Sequence, residues 1–166
     1  MAKTHPAGTP ANTEMVRKHY LMLGLNLAIN LLIMYLVMFT MIWRFGDFFH
    51  NLNMLYMALM MWAPMAVLML LMMRMMYTNQ NLNMILYAVF ALVTVLSFLG
   101  TRAQTVIGDR QFIRAMIPHH SGAILMCEQA SLRQADVQAL CKSIVAGQAQ
   151  EIRLMKDMLR RPEGEN

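Results

Sequence analysis

Residues 116–127, MIPHHSGAILMC, decide how this chain is organised. They place two adjacent histidines, two methionines and a cysteine in a run with helical periodicity. Neutral imidazole and thioether groups are donors that a soft metal ion such as Cu(I) or Ag(I) prefers. The stretch therefore predicts a helix that carries a soft-metal site, and the sequence before residue 100 predicts how that helix is attached to a membrane.

The composition predicts an integral membrane protein, because 58% of the 166 residues are hydrophobic and only 14% are charged. Apolar runs at residues 20–43, 54–76 and 84–100 have the lengths of transmembrane helices, the third near the lower limit. Asn53 and Asn83 precede the second and third runs and are predicted to cap them.

The predicted fold is all-α, with three transmembrane helices followed by an antiparallel helical hairpin. The predicted regions are an N-terminal tail (1–19), a three-helix transmembrane region (20–100) and a metal-binding hairpin domain (101–166). The formal net charge is +5, without a basic stripe that interleaves aromatic residues, which argues against nucleic acid as a partner. Positive charges divide equally between the two sides of the membrane and do not fix the orientation.

The second apolar run carries a methionine stripe at steps of three or four residues, which lies on one helix face. Its members are Met54, Met57, Met61, Met65, Met69, Met72 and Met76. One interpretation is packing around Pro64, since neighbouring helices satisfy the carbonyl that a membrane proline frees. The other is a path that carries a soft metal through the bilayer.

The hairpin is predicted from two amphipathic helices, residues 109–130 and 135–159. The inner face of the first is expected to hold Phe112, Met116, His119, His120, Ala123, Cys127 and Ala130. Folding about residue 134 places Cys127 opposite Cys141 and His120 opposite Gln148. The two cysteines then form a disulfide, remain buried thiols or add metal ligands, and the sequence leaves these alternatives open.

The histidine pair is expected to line one concave side, with Met116 one turn before it and Met126 two turns after His119. Gln148 is placed to orient an imidazole from outside the ligand set. The alternative is a packed, hydrogen-bonded histidine pair with no metal. No nucleophile–base–orienter set is apparent, so we expect no enzymatic activity.

A two-helix hairpin of this size cannot bury a sufficient core by itself. It must pack against the membrane region, or two copies must meet as a four-helix bundle. A homodimer or higher oligomer is therefore expected, with a metal site that the copies share.

The hairpin resembles the family catalogued as domain of unknown function 305. The matching residues form two separated motifs: Asp109, Phe112, Met116, His119, His120, Ala123, Ile124 and Met126, then Gln148, Glu151, Ile152 and Met155. The resemblance implies a ferritin-like bundle, outside the cytoplasm, that binds copper or silver. It implies Met116, His119, His120, Met126 and Met155 as the ligands. This chain departs from the family pattern at Cys127, where a small residue is usual, and in carrying a single copy of the motif.

The resemblance also resolves the orientation, because a hairpin outside the cytoplasm places the N-terminus inside. The chain is then expected in a bacterial inner membrane, with a cytoplasmic N-terminus and a periplasmic hairpin. We expect a protein that buffers Cu(I) or Ag(I) at the periplasmic face or hands it to a copper-handling partner. The alternatives are metal transport along the methionine stripe and a structural or dimerisation module without metal.

Overall fold

The computed structural model describes residues 10–162, with side chains from residue 14 onwards. Within that range the chain forms five α-helices and one short 3₁₀ helix, and no β-strand. The helices are α1 (Pro10–Val37), α2 (Leu52–Met72), α3 (Gln80–Ala103), α4 (Asp109–Gln129) and α5 (Ala135–Arg160), and the 3₁₀ helix covers Phe45–Asp47. The prediction of an all-α fold is confirmed.

Three of these helices are long and apolar enough to cross a membrane: Glu14–Val37, Leu52–Met72 and Gln80–Ala103. They contain 24, 21 and 24 residues. At about 1.5 Å per residue, each of them exceeds the ~30 Å thickness of a hydrocarbon core. The third helix is therefore longer than predicted, because its polar first turn and its last residues are helical although they are not apolar.

The boundaries of α1 differ from the prediction at both ends. The helix begins at Pro10, inside the stretch assigned to the N-terminal tail, and residues 1–9 lie outside the described range. It ends at Val37, so Trp43 belongs to the connection that follows rather than to the first span. We call residues 38–51 the first connection. This segment does not continue α1, because it packs against α4. There the Trp43 amide donates a hydrogen bond to the Ser121 hydroxyl.

The three candidate spans pack through small and apolar side chains, with α2 in contact with both α1 and α3. Their shared core contains Leu23, Leu27, Ala63, Ala66, Leu70, Tyr77 and Phe90. The alanines on α2 allow neighbouring backbones to approach closely, as is usual where membrane helices meet. The Trp62 indole N–H donates to the Leu27 carbonyl at 2.8 Å, which ties α2 to α1 within this core.

The methionine stripe of α2 lies beside the buried face of that helix. The buried positions are Ala58, Ala63, Ala66 and Leu70, whereas Met57 and Met61 are exposed in a single copy. A metal path lined by these thioethers therefore needs a further surface, such as another copy, to close it.

The predicted helix caps are wrong. Asn51, not Asn53, caps α2 by accepting from the Met54 amide at 2.9 Å. Asn79, not Asn83, caps α3 by accepting from the Leu82 amide at 3.1 Å. Asn83 instead accepts a hydrogen bond from the Tyr20 hydroxyl and donates one to the backbone of residue 77, so its side chain ties α1 to the start of α3.

The last two helices pack against each other in antiparallel fashion. Cys127 is bonded to Cys141 near the turn, and Arg110 at the far end donates to the Leu159 carbonyl. Ile117 and Ile124 from α4 and Ile152 from α5 form the core between them. We call this unit the α4–α5 pair; it contacts the rest of the chain through the first connection and the start of α2.

Candidate functional site

The side of α4 that faces away from the rest of the protein carries soft donor groups. Met116 and Ala123 are half-buried, His119 is exposed, and Met126 is 55% exposed. The spacing of three, four and three residues places these four side chains along one side of the helix. We call this row, Met116, His119, Ala123 and Met126, the outer stripe.

The predicted inner face of α4 is therefore partly wrong. Ile117, Ser121 and Ile124 are buried, whereas Phe112, His119 and Ala130 of the predicted inner face are exposed. The reason is that α4 is covered on two sides, by α5 and by the first connection. Sequence periodicity alone did not show that the first connection packs on Ser121 and Gly122, which turns His119 outward.

His120 occupies a different environment from its neighbour. It is 8% exposed, its Nδ1 lies 2.9 Å from the Met116 carbonyl oxygen, and its Nε2 lies 2.7 Å from Glu151 Oε2. The Met116 carbonyl and the Glu151 carboxylate can only accept hydrogen bonds. The two hydrogen bonds therefore form together only when each ring nitrogen of His120 carries a proton. A metal ion on Nε2 would have to take the place of the Glu151 carboxylate, which is more than half exposed and free to swing away.

The side chain that bonds the His120 imidazole from α5 is Glu151, three residues after Gln148, for which that contact was predicted. Gln148 does not contact the imidazole through a hydrogen bond, and its buried Oε1 has no hydrogen-bond partner among the described residues. One helical turn separates the two positions, and a register argument from sequence cannot distinguish them. Glu151 belongs, with Gln148, to the second motif that matches the family pattern. That match was the sequence signal that could have identified Glu151 as the partner of His120.

The five predicted ligands do not meet at one point within a single copy. Met116 and Met126 are ten residues apart, which is about 15 Å along a helix. Met155 packs against the core of the α4–α5 pair rather than on the outer stripe. Within residues 10–162, no three His, Cys, Asp or Glu side chains come together as a metal site.

The two cysteines form a disulfide, with their Cα atoms 5.3 Å apart. Of the three alternatives left open by the sequence, the structure contains the disulfide, so neither sulfur is a free thiolate ligand in this form. The bond joins the end of α4 to the start of α5 and closes a loop across 14 positions of sequence. It stabilises the pair of helices that carries the outer stripe.

A polar junction joins the α4–α5 pair to the first connection. Asp47 is 3% exposed, and its carboxylate accepts from the Ser121 hydroxyl at 2.6 Å and from Lys156 Nζ at 2.5 Å. Ser121 in turn accepts from the Trp43 amide at 2.7 Å. We call these four residues the polar junction. Sequence reasoning did not identify it, because its members are far apart in the chain and each is common by itself.

A close backbone approach accompanies the polar junction. A Cβ atom at Gly122 would lie 3.3 Å from the Met41 carbonyl oxygen. The glycine therefore lets the first connection lie directly against α4. This contact fixes the rotation of α4, and with it the outward direction of His119.

Comparisons with known proteins agree with the resemblance seen in the sequence. Residues 95–159 match the model of the family described as "Domain of unknown function (DUF305)". An uncharacterized protein of Acanthamoeba polyphaga mimivirus, L153, is 30% identical over 116 residues, which is 69% of this chain and 74% of that protein. Only 66 residues follow residue 100, so this similarity must extend into the candidate spans. No solved structure matches the chain.

Proposed function

Since this chain belongs to the domain of unknown function 305 family, we propose that it is a membrane-anchored protein that binds a soft metal ion. The ion is Cu(I) or Ag(I), and the protein buffers it or hands it to a copper-handling partner without catalysing a reaction. The single observation that carries the proposal is the outer stripe, where an exposed imidazole, an exposed thioether and a half-buried thioether lie along one side of α4.

Soft donors account for the choice of metal. Thioether sulfur and neutral imidazole favour Cu(I) and Ag(I) over Mg²⁺ or Ca²⁺, which prefer oxygen ligands. The His119 imidazole makes no hydrogen bond with any described residue, and its ring lies 6.1 Å from that of His120 between centroids. Its nitrogens are therefore available to a ligand, whereas those of His120 are engaged. We assign His119 and Met116 as the primary ligands, with His120 joining if Glu151 moves away.

A second copy of the chain would complete the site. The outer stripe is symmetric in sequence about position 121. Met116 lies five residues before it and Met126 five after it, while His119 lies two before it and Ala123 two after it. If two copies pair their α4 helices antiparallel about that position, Met116 of one copy faces Met126 of the other, and the small Ala123 leaves room for His119. Two equivalent sites then form, each from Met116 and His119 of one copy and Met126 of the other.

The attachment of α4 is compatible with this pairing. Its first turn accepts a hydrogen bond from Leu52 at the start of α2, and its middle accepts one from the first connection, which follows α1. We therefore expect α4 to lie across the membrane surface. Two copies in one membrane are related by a two-fold axis perpendicular to that membrane. Elements that lie across the membrane surface meet antiparallel around such an axis, and the two α4–α5 pairs form a four-helix bundle.

The disulfide supports the proposed location. Disulfides persist in oxidising compartments such as the bacterial periplasm and are rare in the cytosol. We therefore place the α4–α5 pair on the periplasmic side of a bacterial inner membrane. Three spans put the two ends of the transmembrane region on opposite sides, which makes the N-terminus cytoplasmic.

Anaerobic Cu(I) titration of the full-length protein in detergent, against a chelator of known affinity, tests metal binding. We expect His119→Ala and Met116→Leu each to weaken binding by at least tenfold. His50→Ala and Met158→Leu are the matched controls, since His50 is an exposed imidazole on the first connection and Met158 an exposed thioether on α5. Equal affinity in His119→Ala and the unaltered protein would overturn the assignment.

Cysteine cross-linking tests the pairing of copies. Met116→Cys combined with Met126→Cys is expected to form covalent dimers under mild oxidation. Either substitution alone is the control, because two copies of residue 116 would lie about 15 Å apart along the antiparallel helices. Dimers formed equally by the single substitutions would contradict the proposed register.

A second candidate function is a structural module without metal, and the hydrogen bonding of His120 favours it. Both ring nitrogens of His120 are satisfied within the α4–α5 pair, as in a packed core histidine. The same titration separates the two functions, since a structural module takes up no Cu(I) at stoichiometric concentrations.

A further inference from the structure

A cleft of about 350 Å³ opens where the first connection meets the α4–α5 pair. Trp43, Arg44 and Asp47 line it from the first connection, and Ile124 lines it from α4. Arg153 and Lys156 line it from α5. The cleft lies on the opposite side of α4 from the outer stripe, so it is separate from the proposed metal site.

The charges in this cleft are not balanced internally. Lys156 is paired with Asp47 in the polar junction. Arg44 and Arg153 are exposed, and neither guanidinium group makes a hydrogen bond or ion pair with a residue in the described part of the chain. Glu128 also borders the cleft, and it is likewise unbonded to either arginine. Two arginines without a side-chain partner therefore line one small space, and the planar donor geometry of a guanidinium group suits the oxygens of a phosphate.

If the three candidate spans cross a membrane, the cleft lies at the level of the membrane surface. The first connection runs between the ends of two candidate spans, Val37 and Leu52. Trp43 is on the lining, and Phe45 beside it is 96% exposed. Aromatic side chains at the ends of membrane helices favour the interfacial zone, and an exposed phenylalanine there is stabilised by contact with lipid. Ile124, Val145 and Ile152 supply apolar walls to the same cleft.

We propose that the cleft binds the headgroup phosphate of an anionic phospholipid. Arg44 and Arg153 hold the phosphate, and the apolar walls accept the glycerol backbone above the acyl chains. The bound lipid bridges the first connection and α5, so it fastens the α4–α5 pair to the membrane surface in addition to the polar junction. The proposal is independent of metal binding.

Native mass spectrometry of the full-length protein tests the proposal. The protein is released from nanodiscs of phosphatidylglycerol or of phosphatidylcholine, and the lipids that remain bound are counted. Each arginine near a membrane surface contributes about a fivefold gain in affinity for anionic lipid. Arg44→Gln plus Arg153→Gln should therefore lower retention of phosphatidylglycerol about 25-fold, and Glu128→Gln should raise it.

The controls separate a lipid site from nonspecific attraction. Arg17→Gln plus Arg133→Gln removes two exposed arginines that do not line the cleft, and retention should fall much less than in the cleft variant. Addition of inorganic phosphate should not displace the retained lipid. Equal retention in the cleft variant and the control variant would overturn the proposal. So would equal retention of phosphatidylglycerol and phosphatidylcholine, or full displacement of the lipid by inorganic phosphate.

Discussion

Replacing Lys156 by methionine should detach the α4–α5 pair from the first connection. Lys156 is the cationic partner of Asp47, whose carboxylate is 3% exposed and otherwise accepts from the Ser121 hydroxyl. Methionine keeps the aliphatic length and removes the charge, so a buried carboxylate remains with a single hydrogen-bond donor. The substitution acts on the contact between the two parts of the chain and leaves the core of each intact.

The magnitude follows from the burial of the pair. Removing one partner of a fully buried ion pair typically costs about 3–5 kcal/mol. The Lys156 side chain is about a quarter exposed, so water reaches one side of the pair and we expect about 2–3 kcal/mol. At about 1.4 kcal/mol per factor of ten, the docked state becomes roughly 30-fold to 140-fold less favoured.

Hydrogen–deuterium exchange of the full-length protein measures this change. The Trp43 amide donates to Ser121 only while the first connection is docked on α4, so its exchange rate should rise by the same factor. Lys142→Met is the matched control, since Lys142 is exposed on α5 and outside the polar junction. Asp47→Asn combined with Lys156→Met should restore part of the protection, because no buried charge then remains unpaired. Wild-type exchange at Trp43 in Lys156→Met would refute the reasoning.

Substitutions at the disulfide, at two helical glycines and at Val106 test other parts of the fold, each measured by thermal or denaturant unfolding in detergent. Replacing Cys127 and Cys141 by serine should cost about 3 kcal/mol, and reductant should reproduce that loss only in the unaltered protein. Gly122→Ala should cost about 1–2 kcal/mol, because its Cβ would press on a backbone carbonyl, whereas Gly147→Ala, with nothing within 4 Å, should gain up to about 1 kcal/mol. Val106→Asn should gain about 1 kcal/mol, since this exposed valine has a φ of 63° that asparagine tolerates better. An unchanged unfolding free energy in Gly122→Ala, or a lowered one in Gly147→Ala, would contradict the packing described at that glycine. An unchanged unfolding free energy in Val106→Asn would contradict the strain inferred from its φ angle.

Much of the fold was predictable because it depends on local patterns. Runs of apolar residues specified three candidate spans, and the period of the last 60 residues specified two helices. The opposition of Cys127 and Cys141 followed from folding those helices about one turn, and the structure contains that bond. The positions of the candidate spans and of the last two helices along the chain are set by the hydrophobicity of neighbouring residues and its period.

The remaining features depend on contacts between distant segments. Ser121 gave no signal as a docking residue, since its partners Trp43 and Asp47 lie more than 70 positions earlier. Without that contact the rotation of α4 was undetermined, and His119 was assigned to the inner face. The His120 imidazole bonds Glu151 where the sequence predicted Gln148, a difference of one helical turn. That difference depends on the axial register between α5 and α4, which the sequence does not specify.

The central claim is that His119 on the outer stripe holds a soft metal together with thioether sulfur. X-ray absorption at the copper edge of the Cu(I)-loaded, full-length protein tests it most directly. We expect sulfur and imidazole scatterers around copper, with the imidazole signal reduced in His119→Ala and unchanged in His50→Ala. Copper that is not retained, or an imidazole signal unchanged in His119→Ala, would contradict the account.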